Sequence, residues 1–254
     1  MFRYHTTVQS GLQISARLAR SSPIIAVVQV SDAKAEAVAG RLLKRYPTIA
    51  LSHVSRTALR KINAPVTQLV ILPPKQQQVT MLLMSDAVPD QREQWFDGTE
   101  PDTPLIWRNY QLHHNEKGRM TWRLSGAART YYQDRIARLI SGRGGSVPVL
   151  NGEGKQVGQR PVYRPSPEAA RLQIQQLAVH MSRYPGLSGI RADIATLAQY
   201  SNRIWKSTYD VPCPEWPTMP YTRFLAARTA PLVDVIHYQN GATDAQTEET
   251  AELE

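Results

Sequence analysis

Residues 24–30, Ile-Ile-Ala-Val-Val-Gln-Val, form an almost unbroken apolar and largely β-branched run, the pattern of a buried strand. The period then changes. Ser31 or Asp32 offers an N-cap, and Ala35, Val38, Leu42 and Tyr46 recur at helical spacing on one side, with Lys34, Arg41 and Arg45 on another. Pro47 ends that helix, because proline lacks the amide hydrogen the ladder needs. A strand over 49–54, a helical turn to 62 and two further strands, 68–72 and 79–84, complete the pattern of the first block.

Residues 85–104 hold three prolines, one glycine and six acids and read as a surface loop. Two strands, 105–114 and 119–124, then suit a hairpin closed around 115–118. Ser125 is placed to cap a helix to about 140 with Ala128, Tyr132, Ile136, Leu139 and Ile140 inward, stopped by Gly142, Gly144 and Gly145. Segments 147–150 and 155–163 form a second hairpin pattern around Asn151-Gly152. Pro165 and Pro167 introduce a helix to about 183 with Ala170, Ile174, Leu177 and Met181 inward, and Tyr184-Pro185-Gly186 breaks it. A helix over 188–206 follows, with Ile190, Ile194, Leu197 and Ile204 inward. Its break from the preceding helix is longer than a helix-turn-helix turn, which favours an ordinary helical hairpin.

These elements predict an α+β protein: an N-terminal sheet domain with hairpins, for which a ferredoxin-like sheet is one arrangement that fits, then a mainly helical C-terminal part. The segments are a sheet domain at 1–84, the acidic loop at 85–104, basic hairpins and a helix at 105–167, a helical part at 168–240 and a disordered acidic tail at 241–254.

Charge changes the picture most. The 254 residues carry 30 Lys and Arg against 21 Asp and Glu, a net charge of +9. Residues 1–84 hold eleven cations and two anions, and 107–171 hold twelve and four, whereas 241–254 hold five anions and no cation. Fields of one sign on this scale attract polyanions. A single cysteine, Cys213, excludes a disulfide framework and a cysteine zinc cluster. With no secretory signal and no apolar run of membrane-spanning length, a cytoplasmic protein without membrane contact is expected.

The resulting expectation is a protein that binds nucleic acid, DNA or RNA, mainly through its phosphates, as a subunit of a larger nucleoprotein assembly. Its contacts are assigned to Arg108, Arg123, Arg129, Arg135, Arg138, Arg143, Lys155, Arg160 and Arg164. Tyr110, Tyr131 and Tyr132 are interleaved with them, and aromatic rings stack on unpaired bases. Trp107 and Trp122 are expected to pack in the core. Trp216, Met219 and Tyr221, in the proline-rich segment 212–220 and just beyond it, are candidates for docking a protein partner.

Two other classes fit the same composition. One is a metal-independent endoribonuclease with His114 as general base, Tyr110 orienting the 2′-hydroxyl and Arg123 on the phosphate. The other is a protein-only adaptor with a basic docking surface. His113 and His114 are adjacent in an expected strand and point to opposite faces, so they do not chelate one ion, and no metal or cofactor is expected.

Overall fold

The chain opens on strand β1 (Arg3–His5) and helix α1 (Val8–Ala19), whose Thr7 N-cap accepts the Ser10 amide at 3.2 Å. The sequence pattern assigns neither. Strand β2 (Ile24–Ser31) and helix α2 (Asp32–Arg45) follow, then α3 (His53–Lys61), β3 (Thr67–Ile71), β4 (Gln78–Ser85) and β5 (Phe96–Asp97). The computed structural model describes residues 2–89, 92–142, 146–161, 164–219 and 227–235. Its helices and antiparallel strands make it an α+β protein. The chain divides into two compact units: Met1–Leu105, Leu112–Thr121 and Arg223–Glu254 in the first, Ile106–Gln111 and Trp122–Thr222 in the second. These interleaved stretches cut across the linear segments expected from composition.

In the first unit the sheet order is β3-β4-β2-β5. β2 pairs antiparallel with β4 from Ile24 opposite Ser85 to Ser31 opposite Gln78. A ferredoxin-like sheet needs parallel central strands joined by a crossover, so this all-antiparallel order is a different arrangement. One face carries Ala26, Ile71, Val79, Met81 and Leu83, buried against Ala35, Val38, Ala39 and Leu42 of α2. The helical spacing placed Ala35, Val38, Leu42 and Tyr46 inward, and all four are buried; Ala39 joins them. α1 packs on β3 and β4, and Gly11 permits a close approach there: a Cβ would stand 2.8 Å from Leu72 Cδ2. Strand β11 (Thr229–Pro231) pairs antiparallel with β1, Arg3 lying opposite Pro231. His5 Nδ1 lies 2.8 Å from Ser10 Oγ, which accepts the Arg228 amide at 3.1 Å, and burial lowers the His5 pKa.

Two expectations for this unit are corrected. The strand over 49–54 is instead a 3-10 turn, Pro47–Ala50, and the start of α3. Ser52 caps α3 by accepting the Ser55 amide at 3.1 Å, and that local bond outweighs the β-branched character of Ile49 and Val54. The segment 85–104 is more than a surface loop. It supplies β5, which pairs with the start of β2, and Gly98 sits where a Cβ would meet Ile25 Cδ1 at 2.5 Å. Two of its acids also turn inward. Asp86 pairs with Arg60 at 3.0 Å and accepts the Val66 amide at 2.8 Å, while Glu93 accepts from Arg45 and Tyr46.

Strands β6 (Ile106–Trp107), β7 (Tyr110–His114) and β8 (Met120–Leu124) form a sheet in that order. The single strand expected at 105–114 is therefore broken. Trp107 pairs with Tyr110 across a two-residue turn in which Arg108 takes a φ of +54°. Both rings are buried and stacked, 6.5 Å apart, so Trp107 and Tyr110 lie on one side, which a continuous strand would not allow for residues three apart. Trp122 is fully buried, as expected of a core residue.

Helix α4 (Gly126–Ser141) starts at Ser125, whose hydroxyl accepts the Ala128 amide, and ends at Gly142 with a φ of +69°. Ala128, Tyr132, Ile136 and Ile140 are buried, and Leu139 lies on the flank, half-buried. The second hairpin joins β9 (Ser146–Leu150) to β10 (Gln156–Pro161). Its turn is longer than the expected Asn-Gly pair: Asn151 accepts the Glu153 and Lys155 amides through Oδ1, and Gly154 supplies the positive φ of 78°.

Helices α5 (Pro167–Ser182) and α6 (Ser188–Lys206) both pack on α4. Ala170, Ile174, Leu177 and Met181 are buried as the spacing predicts. In α6 the inward stripe continues from Leu197 through Ser201 and Trp205, at four-residue steps, and leaves Ile204 half-buried.

Candidate functional site

The stretches forming the second unit hold fourteen Lys and Arg against six Asp and Glu. Those of the first hold sixteen against fifteen, five of the anions lying within 241–254. The cationic excess therefore falls mainly on the second unit, and eight of its arginines fall into three sets.

The first set converges on Asp193 of α6. This buried carboxylate accepts the Leu124 amide at 2.8 Å and Arg123 Nη2 at 3.2 Å, with Arg129 Nη1 at 3.9 Å. Removing an aspartate so placed would leave an amide and two guanidinium groups without their anion. Asp193 anchors the end of β8, next to the α4 cap, to α6. Arg123 and Arg129, expected on a phosphate track, have part of their charge answered inside the fold.

The second set lies on another side of α4. At 100° per residue, Arg135 and Arg138 stand roughly 120° and 180° around the helix from Arg129. Arg138 is exposed, and Arg135 Nη1 donates to Tyr131 Oη at 3.4 Å. Tyr131 and Arg135, both half-buried, and exposed Arg138 thus lie within about 60° of one another around the helix.

The third set rests on rings. Arg108 lies over Trp107 at 4.3 Å, Arg164 over Tyr209 at 4.6 Å, Arg203 over Tyr200 at 5.3 Å and Arg171 over Trp205 at 6.0 Å. An aromatic face attracts a cation and holds the long side chain in place. Arg171 also donates to the Pro212 carbonyl at 2.8 Å. Tyr209 is fixed in turn, its hydroxyl 2.8 Å from the carbonyls of Ile140 and Pro165.

Lys155 is exposed on the second hairpin, and Arg160 pairs with Val147 through its backbone in β10. Arg143, Tyr221, segment 241–254 and the Arg160 side chain lie outside the described residues. The trio named for RNA cleavage is placed as follows. His114 is exposed, Tyr110 is buried at 4% exposure among Trp107 and Tyr184, and Arg123 faces Asp193. A buried phenol gives a ribose hydroxyl nothing to meet.

Met219 is buried within the chain and Trp216 half-buried, so the proline-rich segment is packed over part of its length rather than wholly offered outward. Burial pushes the Cys213 thiol up, outweighing the nearby Ser201 hydroxyl and the charges of Arg171 and Lys206, which keeps it protonated. Among the described residues no group of three His, Cys, Asp or Glu is placed to hold a metal, and no helix is long and apolar enough to cross a membrane.

Sequence reasoning missed Asp193, although a signal was present: an acid stands among Ile190, Ile194 and Leu197 on the inward stripe of a helix. It also passed over Arg171, whose ring partner is 34 residues further along the chain. Comparison of this chain with protein-family models, with curated proteins and with solved structures finds no match.

Proposed function

We propose that this chain binds nucleic acid through its phosphates, using the cationic surface of the second unit. The reading is supported above all by one side of α4, where exposed Arg138 and half-buried Arg135 and Tyr131 lie together in the unit with the larger charge excess. Each phosphate neutralised by a guanidinium releases a condensed counterion, so such binding weakens steeply with salt and is largely indifferent to sequence. DNA and RNA present the same phosphates, and both are compatible with this surface. The cleavage alternative draws no support from a buried Tyr110.

The test is affinity for a labelled oligonucleotide, single-stranded and duplex, over a range of salt. The double variant Arg135→Glu, Arg138→Glu should bind at least about tenfold more weakly at low salt. The slope of log affinity against log salt should be shallower by roughly two, equally for unrelated sequences. An unchanged slope would remove these residues from the interface. A wild-type protein that binds neither probe would overturn the reading and favour an adaptor whose basic surface meets an acidic protein.

A further inference from the structure

We propose that a groove along α6, divided by Trp216, holds an unpaired nucleotide strand with a base beside Trp216 and a phosphate on Arg191; the proposal rests on the nucleic-acid reading and narrows it to single strands.

The groove consists of two adjoining cavities of about 390 and 280 Å³ that share Ala198 and Trp216. Its floor is one stripe of α6. Arg191, Ala195, Ala198 and Asn202 recur at steps of four, three and four residues, spanning about 16 Å of helix. The alanines keep the middle of that floor low. The opposite wall is the extended segment from Cys213 to Met219.

The two ends differ chemically. The larger cavity is lined by Gln199, Asn202 and Glu215, the smaller by Arg191 with Ile194, Pro217 and Met219. Amides and carboxylates hydrogen-bond the edges of unpaired bases, and a guanidinium takes a phosphate. Glu215 would repel a phosphate at its own end, which sets the direction. Being acceptor-only, it favours a base with an exocyclic amine. Between the ends stands Trp216. Its ring is half-buried, and its indole Nε1 is buried with no hydrogen-bond partner among the described residues.

A duplex cannot reach such a floor, because its bases are stacked inside. An extended peptide is also disfavoured. Peptides that add to an exposed strand rely on free backbone amides, and Pro212, Pro214 and Pro217 have none to offer.

The test uses the full chain with oligo(dC), oligo(dT) and a duplex. Trp216→Ala should weaken oligo(dC) binding by about tenfold and leave duplex binding unchanged. Ala198→Leu fills the floor without deleting a side chain and should act in the same direction, which guards against a Trp216 variant that merely folds poorly. Glu215→Gln should narrow the preference for oligo(dC) over oligo(dT). Cys213, the one cysteine of the chain, lines the groove and gives an independent readout on the unaltered protein. Oligo(dC) should slow its alkylation by N-ethylmaleimide and duplex should not.

Equal alkylation rates with and without oligo(dC), or equal losses for single strand and duplex in both groove variants, would overturn the proposal. So would a Trp216→Ala protein that loses a protein contact while keeping its oligo(dC) affinity. In each case salt-dependent binding that still responds to Arg135→Glu, Arg138→Glu would leave the phosphate reading standing. Absence of all binding by the wild type would remove both.

Discussion

Two hairpins in this molecule close with the same loop and meet opposite fates. Between β7 and β8 the loop is Asn115-Glu116-Lys117-Gly118-Arg119; between β9 and β10 it is Asn151-Gly152-Glu153-Gly154-Lys155. In both, the first Asn accepts two backbone amides through Oδ1, at 3.0 and 2.9 Å, and the fourth residue is a glycine with positive φ. The strands diverge from there. Leu112, Trp122 and Leu124 of the first are buried, and Asp193 holds its end. In the second, Val149, Leu150 and Val157 are 39%, 56% and 62% exposed, and every residue described from 148 to 159 faces solvent. A turn is therefore written locally, by an Asx side chain and a permissive glycine, whereas the use of its strands is decided by what packs on them. A two-stranded ribbon alone is marginal in water, so the second hairpin draws little stability from its own strands.

The sharpest way to break this comparison is at Asp193. Asp193→Ala should cost roughly 3–5 kcal/mol in denaturant unfolding, because two arginines and the Leu124 amide lose their anion. A loss under about 1 kcal/mol would mean that burial of Trp122 and Leu124 holds β8 without the anchor. The next effect is smaller. Gly118→Ala and Gly154→Ala each force an L-residue into the same left-handed conformation, at about 1 kcal/mol locally. Only the Gly118 variant should show it as a lower midpoint, since the second hairpin can open without unfolding the rest. Equal shifts would show that the exposed ribbon is coupled to the fold. The smallest effect is expected from replacing 148–159 by a short Gly-Ser linker. Stability should stay within about 0.5 kcal/mol of wild type, while oligonucleotide affinity falls modestly with the loss of Lys155.

The same division explains what was legible in the sequence. α2, α4 and α5 could be read because three or four apolar residues each repeat at helical spacing, and Ser125 and Gly142 mark the ends of α4. α3 was read only in part, as a helical turn to 62, since all its residues are at least partly exposed and its start at the Ser52 cap fell within the expected strand. The break at Arg108 was hidden because an Arg in a left-handed turn carries no compositional mark. At the candidate site, the basic and aromatic composition was visible, but its division was not. Arg129 faces an aspartate 64 residues away, and Arg164 finds a ring 45 residues away. The groove beside Trp216 joins an ordinary helix stripe to a proline-rich wall, and neither half announces the other.

The pairing of β1 with β11 has a consequence for how the chain comes into being. Arg3 bonds Thr229 across 226 residues, so β1 lacks its partner strand until residues 229–231 exist. During synthesis the intervening second unit is complete first. It can acquire its fold before β1 is paired, so a strand among the first made is among the last to be placed. Contacts this distant raise the contact order and slow folding, so the closing of β1 on β11 is expected to be a late step.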